Sequence, residues 1–221
     1  NIVSFPLEML ALFMDKINYY LKGEDIVKSF NVKKPTLLMH VCCAPCSCYP
    51  LTYLIDKFYV TLHFNNSNIY PASEWELRRK ELINFVEQFN RDYHTDVKLV
   101  IIPYDHENYM KDLFPYKDEP ERGKRCLLCY QKRMLEAFQY ADKNRFDYFT
   151  TVMSISRQKD SQILNQIGRD LAKQFSYTKY FYSDFKKNDG IQKGIAIRNH
   201  YGLYQQNYCG CEYSQRILKK E

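Results

Sequence analysis

The chain has 221 residues, with 32 Lys and Arg against 26 Asp and Glu and a formal net charge of +6. With 45% apolar residues and a mean hydropathy of −0.53, the composition excludes a disordered tail and a membrane protein, and the length is that of one domain. There are seven glycines against eight cysteines, and neither phosphate-binding pattern, G-x-G-x-x-G or G-x-x-x-x-G-K-[ST], occurs. The moderate basic excess suits an anionic partner.

The predicted elements begin with an amphipathic helix over 4–22, which Ser4 caps and Gly23 ends. Thr36–Val41 is a short apolar run typical of a buried strand. The later predictions are, in chain order, a helix at Pro50–Phe58, a strand at Tyr59–Phe64, a helix opened by a Ser73–Glu76 capping box and running to Tyr93, a strand at Lys98–Pro103, a charged loop at 115–125, a helix carrying Cys129 to Lys143, a strand at Tyr148–Met153, a helix at Asp160–Phe175, a strand at Lys179–Ser183, and a loop ending in a short helix at Tyr213–Lys220.

The alternation of strands with helices predicts an α/β fold, with a parallel sheet and helices on both faces. We expect an N-terminal helical extension over 1–34 and a single α/β metal-binding catalytic domain over 35–221. Ligands of such sheets bind beyond the carboxyl ends of the strands. The segment after the first predicted strand is therefore the first candidate for a functional site.

The eight cysteines lie in three short clusters: Cys42, Cys43, Cys46 and Cys48; Cys126 and Cys129; and Cys209 and Cys211. Such spacing suits thiolates that converge on one metal centre, whereas disulfides between adjacent or i,i+2 cysteines are strained. A chain of this length needs no disulfides for stability, and no secretory signal pattern is present, so we expect free thiols and a cytoplasmic protein.

The first cysteine cluster directly follows the first predicted strand, where related nucleotide-binding folds carry a glycine-rich phosphate loop. This loop favours metal binding over phosphate binding. A helix start near Cys126, with Arg125 beside it, favours that thiolate, and Gly210 lets the backbone approach a bulky cluster. Cys46 is a further candidate ligand, whereas Cys48 is expected to be a small buried hydrophobe.

The core ligand set has two thiols from each cysteine cluster: Cys42, Cys43, Cys126, Cys129, Cys209 and Cys211. Either a [4Fe–4S] cluster or a tetrahedral zinc ion takes four. Two thiolates are left for a second metal ion or for redox chemistry, which favours iron over a closed structural zinc site.

Six short motifs follow one another along the chain. They are His40-Val-Cys42-Cys43-Ala-Pro-Cys46, Asn68-Ile-Tyr-Pro71 with Glu74 and Arg78, Arg125-Cys126-x-x-Cys129-Tyr130, Ser154-Ile-Ser156-x-x-Lys159, Asp184-Phe185-x-Lys187, and Tyr208-Cys209-Gly210-Cys211-x-Tyr213-Ser214. Over residues 36–215 the chain therefore resembles the epoxyqueuosine reductase QueH family.

The resemblance implies a Rossmann-like fold related to nucleotide α-hydrolases. The implied reaction is two-electron removal of the epoxide oxygen of epoxyqueuosine at the tRNA wobble position, giving queuosine and water. The implied cofactors are a [4Fe–4S] cluster and an adjacent mononuclear iron. The implied partners are tRNA carrying epoxyqueuosine in its anticodon loop and an electron donor such as ferredoxin or flavodoxin, with no membrane involved.

The resemblance also directs attention to individual residues. Some family members have Asp beside the extra metal at the position of Cys46, which makes this cysteine a catalytic candidate and a metal ligand. Because the leaving oxygen needs a proton donor, the candidates are Tyr130, Tyr208, Asp105 and His40.

The predicted substrate contacts are divided between the modified base and the RNA backbone. Asn68, Glu74 and Arg78 are predicted to contact the base through polar edges, and Arg157 and Lys159 to lie at the substrate. Basic clusters near the cysteines could hold phosphates: Lys33–Lys34, Arg78–Lys80, Arg122–Arg125, Lys132–Arg133, Arg157–Lys159 and Lys186–Lys187. Helix capping and a solvated surface are the competing interpretations.

Three other functions remain open from the residues themselves. A tRNA sulfur-inserting enzyme needs an ATP-binding Ser-Gly-Gly-x-Asp-Ser loop after the first strand. The segment Cys42–Cys48 contains no glycine, which argues against adenylation by this chain. A zinc-stabilised RNA-binding module would explain four cysteines without catalysis. A thiol–disulfide oxidoreductase using Cys126 and Cys129 leaves the other clusters unexplained.

Overall fold

The computed structural model describes residues 16–31 and 34–214. Within these ranges the chain forms five strands and seven α-helices. The strands are β1 (Thr36–His40), β2 (Tyr59–Phe64), β3 (Lys98–Ile101), β4 (Tyr148–Thr151) and β5 (Lys179–Tyr180), and the helices are α1 (Tyr19–Lys28), α2 (Ala44–Leu54), α3 (Ala72–Tyr93), α4 (His106–Lys111), α5 (Lys124–Lys143), α6 (Ser161–Ala172) and α7 (Gly190–His200).

The sheet has the strand order β3-β2-β1-β4-β5, and every neighbouring pair is parallel. The central strand β1 pairs with β2 from Thr36 to His40 and with β4 from Leu37 to His40. The order reverses at β1, so the loops after β1 and β4 open a crevice at the carboxyl edge. The predicted Rossmann-like α/β fold is confirmed.

Alternate residues of β1 bury into cores on opposite faces of the sheet. Leu37 and Met39 belong to one core, which includes Phe58 from the α2–β2 connection. Leu38 points to the other face and joins a second core with Phe138 of α5. The middle of the strand, Leu37 to Met39, is apolar because both faces are covered by helices, as predicted.

Two predicted helix boundaries are wrong for identifiable reasons. Gly23 lies inside α1 rather than after it. This glycine allows close packing rather than ending the helix, since a Cβ there would lie 2.5 Å from the carbonyl oxygen of Tyr182. Helix α2 begins at Ala44, six residues before the predicted start, with Pro45 in its first turn and Pro50 inside it. Cys46 therefore lies on a helix rather than in a loop.

The Ser73–Glu76 capping box is also wrong. Pro71 precedes α3 without a side-chain cap, and Glu76 forms an ion pair with Arg79 at 2.7 Å instead. The segment before the last cysteines, predicted as loop, contains α7, which packs against α2. A Cβ at Gly190 would lie 2.5 Å from the Tyr49 ring, so the glycine that weakens the helical pattern allows this packing.

Parts of the terminal predictions lie outside the described residues: 4–15 of the first helix, Lys33 of a basic cluster, and 215–220 of the last helix. The described part of the N-terminal region packs on the α/β body, where Tyr19 stacks on Tyr182 at a ring distance of 5.6 Å. The division into 1–34 and 35–221 stays a prediction. In the described ranges, no helix has the length and apolar character needed to span a bilayer.

Candidate metal centre

The first cysteine cluster lies at the carboxyl edge of the central strand. Strand β1 ends at His40, and Cys42 and Cys43 connect it to α2. Cys43 is the N-cap of that helix, in extended backbone with φ −176° and ψ 165°. The two thiols therefore lie beside the positive end of a helix dipole, which favours negatively charged sulfur.

Three thiols converge at this edge. The sulfur atoms of Cys42, Cys43 and Cys46 all lie within 4.8 Å of one another, and those of Cys42 and Cys43 are 3.8 Å apart. Cys43 is buried and the other two are half-buried. Among the described residues, this is the one group of at least three His, Cys, Asp or Glu side chains gathered tightly enough to hold one metal ion.

The three thiols share their protons unevenly. Hydrogen bonds from the thiols of Cys43 and Cys46 hold the pKa of Cys42 well below its ordinary range. The same interactions with Cys42 raise the pKa of Cys43 and of Cys46. Cys42 is thus the preferred thiolate of the group. By contrast, Cys48 is fully buried, donates to the carbonyl oxygen of Ala44 at 3.4 Å and has its pKa raised by burial to about 12.

The second group combines Cys126 and Cys129 of α5 with Cys209 and Cys211 from the segment after α7. Cys126 lies in the first turn of α5 rather than before it, and the backbone N–H of Arg122 donates to its sulfur at 3.3 Å. The Tyr109 hydroxyl donates to the Cys129 sulfur, also at 3.3 Å. These four thiols include no trio as tightly gathered as the first group.

The thiols of the second group nevertheless lie near one another. Burial raises the pKa of Cys126, and the thiols of Cys129 and Cys209 raise it further, against the lowering by the Arg122 N–H. Burial, followed by the thiol of Cys129, raises the pKa of Cys211 to about 12. The raised pKa of Cys126 is opposite in direction to the thiolate preference that the helix start and Arg125 predict.

Arg78 links the two groups. It is 2% exposed and forms an ion pair with Glu74 at 2.7 Å, and its Nη1 donates to the carbonyl oxygen of Cys209 at 3.5 Å. The thiols of Cys43 and Cys42 contribute to the raised pKa of Arg78, against the lowering by burial. The Glu74–Arg78 pair is thus part of the wall between the two groups.

Among the four proton-donor candidates, Tyr130 is influenced by thiols of the second group, since Cys209 and Cys126 both raise its pKa. It is buried, and burial raises the pKa of its hydroxyl, while the positive charge of Lys159 lowers it. The Nζ atom of Lys159 lies 5.8 Å from the centre of the Tyr130 ring. In turn, the thiols of Cys209 and Cys42 contribute to raising the pKa of Lys159 against burial.

The other three candidates have structural partners. The Tyr208 hydroxyl donates to the carbonyl oxygen of Tyr70 at 2.8 Å. Asp105 caps α4 by accepting from the backbone N–H of Asn108. His40 shares a 2.8 Å hydrogen bond with Thr151, and burial lowers its pKa to about 3, so its imidazole is neutral at physiological pH.

The predicted substrate residues divide by exposure. Asn68 is 1% exposed, and neither its amide oxygen nor its amide nitrogen has a hydrogen-bond partner among the residues that the structure describes. Arg157 is exposed and Lys159 half-buried. Three arginines of the predicted phosphate clusters are instead buried, which makes them unsuitable as surface phosphate contacts: Arg78, Arg125 and Arg133.

Several residues of the site carry no sequence signal of their role. Tyr109 reaches Cys129 from α4, and its position follows only from the packing of that helix on α5. Lys186 donates to the carbonyl oxygens of Ser154 and Lys159, the two ends of the loop after β4. Such contacts across the sheet edge depend on the tertiary fold.

The residues fit a thiolate-ligated iron or iron–sulfur group. Soft thiolate donors suit iron–sulfur clusters and zinc. All eight cysteines lie in the described ranges and none forms a disulfide. Buried N–H groups of Asn68, Arg78 and Arg133 have no hydrogen-bond partner in the described part of the chain, and an anionic group with sulfur acceptors would supply partners.

The comparisons agree with this chemistry. A family model described as epoxyqueuosine reductase QueH matches residues 37–217. A protein of that name from Streptococcus pyogenes serotype M1 is 38% identical over 204 residues, which cover 91% of this chain and 80% of the relative. The protein of the same name from Staphylococcus aureus is 36% identical over 203 residues, which cover 90% of this chain and 84% of the relative. The one from Haemophilus influenzae is 36% identical over 185 residues, which cover 83% of this chain and 73% of the relative.

Proposed function

The chain belongs to the epoxyqueuosine reductase QueH family. We propose that its two groups of thiols bind a [4Fe–4S] cluster and an adjacent mononuclear iron for the reduction of epoxyqueuosine in tRNA. The enzyme is an oxidoreductase that converts epoxyqueuosine to queuosine. In this reaction both C–O bonds of the epoxide break and a C=C bond forms. Two electrons and two protons enter, and the oxygen leaves as water.

The convergence of Cys42, Cys43 and Cys46 carries the proposal. Three sulfurs within 4.8 Å of one another suit a single ion with a fourth position open. The remaining four core thiols match the four ligands of a [4Fe–4S] cluster, and we assign that cluster to them: Cys126, Cys129, Cys209 and Cys211. When bound, the metal centre supplies electrons and an electrophile for the epoxide oxygen.

The chain's own residues supply binding and protons. Tyr130 is the proposed proton donor because its buried hydroxyl stays protonated and Lys159 places a positive charge near its ring. The buried amide of Asn68, which has no partner in the described part of the chain, is proposed to hydrogen-bond the modified base, and the exposed guanidinium of Arg157 to contact a phosphate. Glu74 and Arg78 are proposed to hold the wall of the base pocket.

The electrons come from outside the chain. We propose a one-electron carrier such as ferredoxin or flavodoxin, because a cluster accepts electrons singly. The tRNA substrate supports a cytoplasmic location. A zinc-stabilised RNA-binding module remains as the competing outcome of the test.

The test is anaerobic purification with iron and sulfide analysis, followed by an assay on tRNA carrying epoxyqueuosine. We expect a brown protein with about four to five irons that forms queuosine when supplied with a reductant. Cys43→Ala is expected to lose iron and turnover, whereas Cys48→Ala, which changes a cysteine outside the proposed ligand set, keeps both. A colourless protein with one zinc and no turnover would overturn the proposal.

A further inference from the structure

Arg133 is among the largest fully buried side chains of the protein, with 1% exposure. It lies on α5, seven residues after Cys126 and four after Cys129. Positions three, four and seven apart share a helix face, so Arg133 continues the face that presents the two cysteines and Tyr130. Its guanidinium carbon lies 5.8 Å from the centre of the Tyr130 ring.

This buried cation has no carboxylate ion-pair partner among the described residues. Its Nε and Nη2 also have no hydrogen-bond acceptor there. Glu136, one turn further along α5, accepts from the Asn65 amide at 3.2 Å and forms no ion pair with Arg133. The other two buried arginines have more partners, although each also has one unpartnered nitrogen among the described residues: Arg78 forms an ion pair with Glu74, and Arg125 donates to the carbonyl oxygens of three residues.

A buried guanidinium without a counter-charge is strongly unfavourable, and arginine stays protonated rather than becoming neutral. The compensating negative charge therefore has to come from groups around it. Burial lowers the pKa of Arg133, but the thiols of Cys129 and Cys209, together with Tyr109 and Cys42, raise it by more. Cys129 has the largest raising effect and Tyr109 the next, and the effects of Cys209 and Cys42 show that cysteines of both thiol groups lie within electrostatic reach of Arg133.

We propose that Arg133 is the counter-cation of the iron–sulfur group, which it stabilises most in its reduced, more negative state. The inference rests on the proposed function, since it requires a thiolate-ligated cluster at this edge. A fixed positive charge in a buried site favours the added electron and raises the reduction potential. The unpaired Nε–H and Nη2–H groups are available to donate to thiolate or sulfide sulfur.

The test measures the reduction potential of the anaerobically loaded protein by a redox titration followed by electron paramagnetic resonance. In Arg133→Gln and Arg133→Met we expect the ratio of reduced to oxidised cluster at the wild-type midpoint to fall about tenfold, which is about 59 mV for one electron. Arg133→Lys keeps the charge and is expected to stay near the wild-type potential. Iron content and circular dichroism are recorded for each variant.

The matched control is Lys132→Gln, which removes a positive charge from the adjacent position of the same helix. Lys132 has its own partner, Asp112 at 2.6 Å, and we expect its loss to leave the potential unchanged. Equal shifts in Lys132→Gln and Arg133→Gln, or no shift in Arg133→Gln, would overturn the inference.

Loading defects also discriminate. If Gln and Met at position 133 prevent loading but Lys permits it, the charge itself holds the anionic group, which supports the inference. If Lys fails as well, the role of Arg133 is one of shape and the inference is wrong. A wild-type protein without a redox-active cluster would overturn the proposed function and this inference together, whereas a normal cluster unaffected by Arg133→Gln would overturn the inference alone.

Discussion

The backbone N–H of Tyr70 donates a hydrogen bond of 2.7 Å to the carbonyl oxygen of Gly210. This bond fastens the segment before α3 to the turn between Cys209 and Cys211. Gly210 has a φ of +105°, and a Cβ there would lie 2.9 Å from Nη1 of Arg78. The glycine thus lets the cysteine-bearing turn approach the buried guanidinium closely.

We expect Gly210→Ala to lower the free energy of unfolding by about 1–3 kcal/mol, because the backbone becomes strained. The added methyl group also displaces Arg78, so iron loading is expected to fall. Gly202→Ala is the matched control, since Gly202 has a φ of +61° and nothing within 4 Å of the added carbon. If Gly202→Ala lowers stability but keeps the iron, backbone strain alone does not remove iron, and the loss of iron in Gly210→Ala is due to the contact with Arg78. Full iron loading in Gly210→Ala would contradict the prediction.

A second prediction concerns the loop that carries Lys159. Lys186 Nζ donates to the carbonyl oxygens of Ser154 at 2.8 Å and Lys159 at 3.3 Å, and it forms an ion pair with Asp184 at 3.3 Å. Lys186→Met removes the side-chain donor to the two carbonyl oxygens, at a cost of about 1–3 kcal/mol. We expect faster hydrogen exchange over 155–159 and a fall in kcat/KM of about tenfold or more.

The neighbouring Lys187→Met provides the control for that loop. Lys187 is exposed, so its removal is expected to leave hydrogen exchange and kcat/KM near wild type. If Lys186→Met slowed catalysis with unchanged exchange over 155–159, its effect would not pass through the loop. Equal effects of both substitutions would point to a general loss of charge instead.

Most of the sheet was predictable because β1 and β2 are short, mostly buried segments rich in apolar residues, and such segments between helices are typical of strands in a parallel sheet. Helix α7 was not predicted, because Gly190 and Gly194 weaken the helical signal, and of the two only Gly190 is required for close packing against Tyr49. The early start of α2 was missed because three cysteines and Pro45 resemble a loop in isolation.

The thiols of the candidate site were predictable, but the groups that surround them were not. Close spacing along the chain is enough to bring Cys42, Cys43 and Cys46 together. Burial of Arg133 and Arg78 depends on contacts between distant segments, so the sequence suggested surface clusters for both. Two adjacent basic residues of one predicted cluster have different environments: Lys132 pairs with Asp112, whereas Arg133 is buried in the interior.

A third prediction tests whether Cys46 is a metal ligand. In protein freed of iron and loaded with Co²⁺, the thiolate-to-cobalt absorption of Cys46→Ser is expected to fall by about a third, because one of three gathered thiolates is removed. Cys48→Ser is the control, since its hydroxyl can replace the 3.4 Å hydrogen bond to Ala44. Unchanged absorption in Cys46→Ser, or an equal loss in Cys48→Ser, would exclude Cys46 as a ligand.

A fourth prediction concerns acid stability and His63. The side chain is 1% exposed, and burial lowers its pKa to about 4 although the hydrogen bond to Asn65 raises it. The neutral ring lies between Asn65, at 3.1 Å, and Tyr140, with a ring distance of 4.8 Å, and near the equally buried His40. Between pH 6.5 and 4 the unfolded chain binds a proton here that the folded protein does not.

The sign of the effect follows from this difference. The contribution of His63 to stability is complete above pH 6.5 and is lost as the pH falls towards 4, amounting to about 3 kcal/mol over that window. We expect His63→Gln, which cannot be protonated, to flatten the fall in the free energy of unfolding measured by urea titration at pH 7.5, 6, 5 and 4.5. His94→Asn serves as the control, because His94 is exposed and Asn tolerates its left-handed φ of 50°. A parallel fall with pH in wild type and His63→Gln would contradict the prediction, since a histidine that is protonated equally in both states contributes nothing to acid sensitivity.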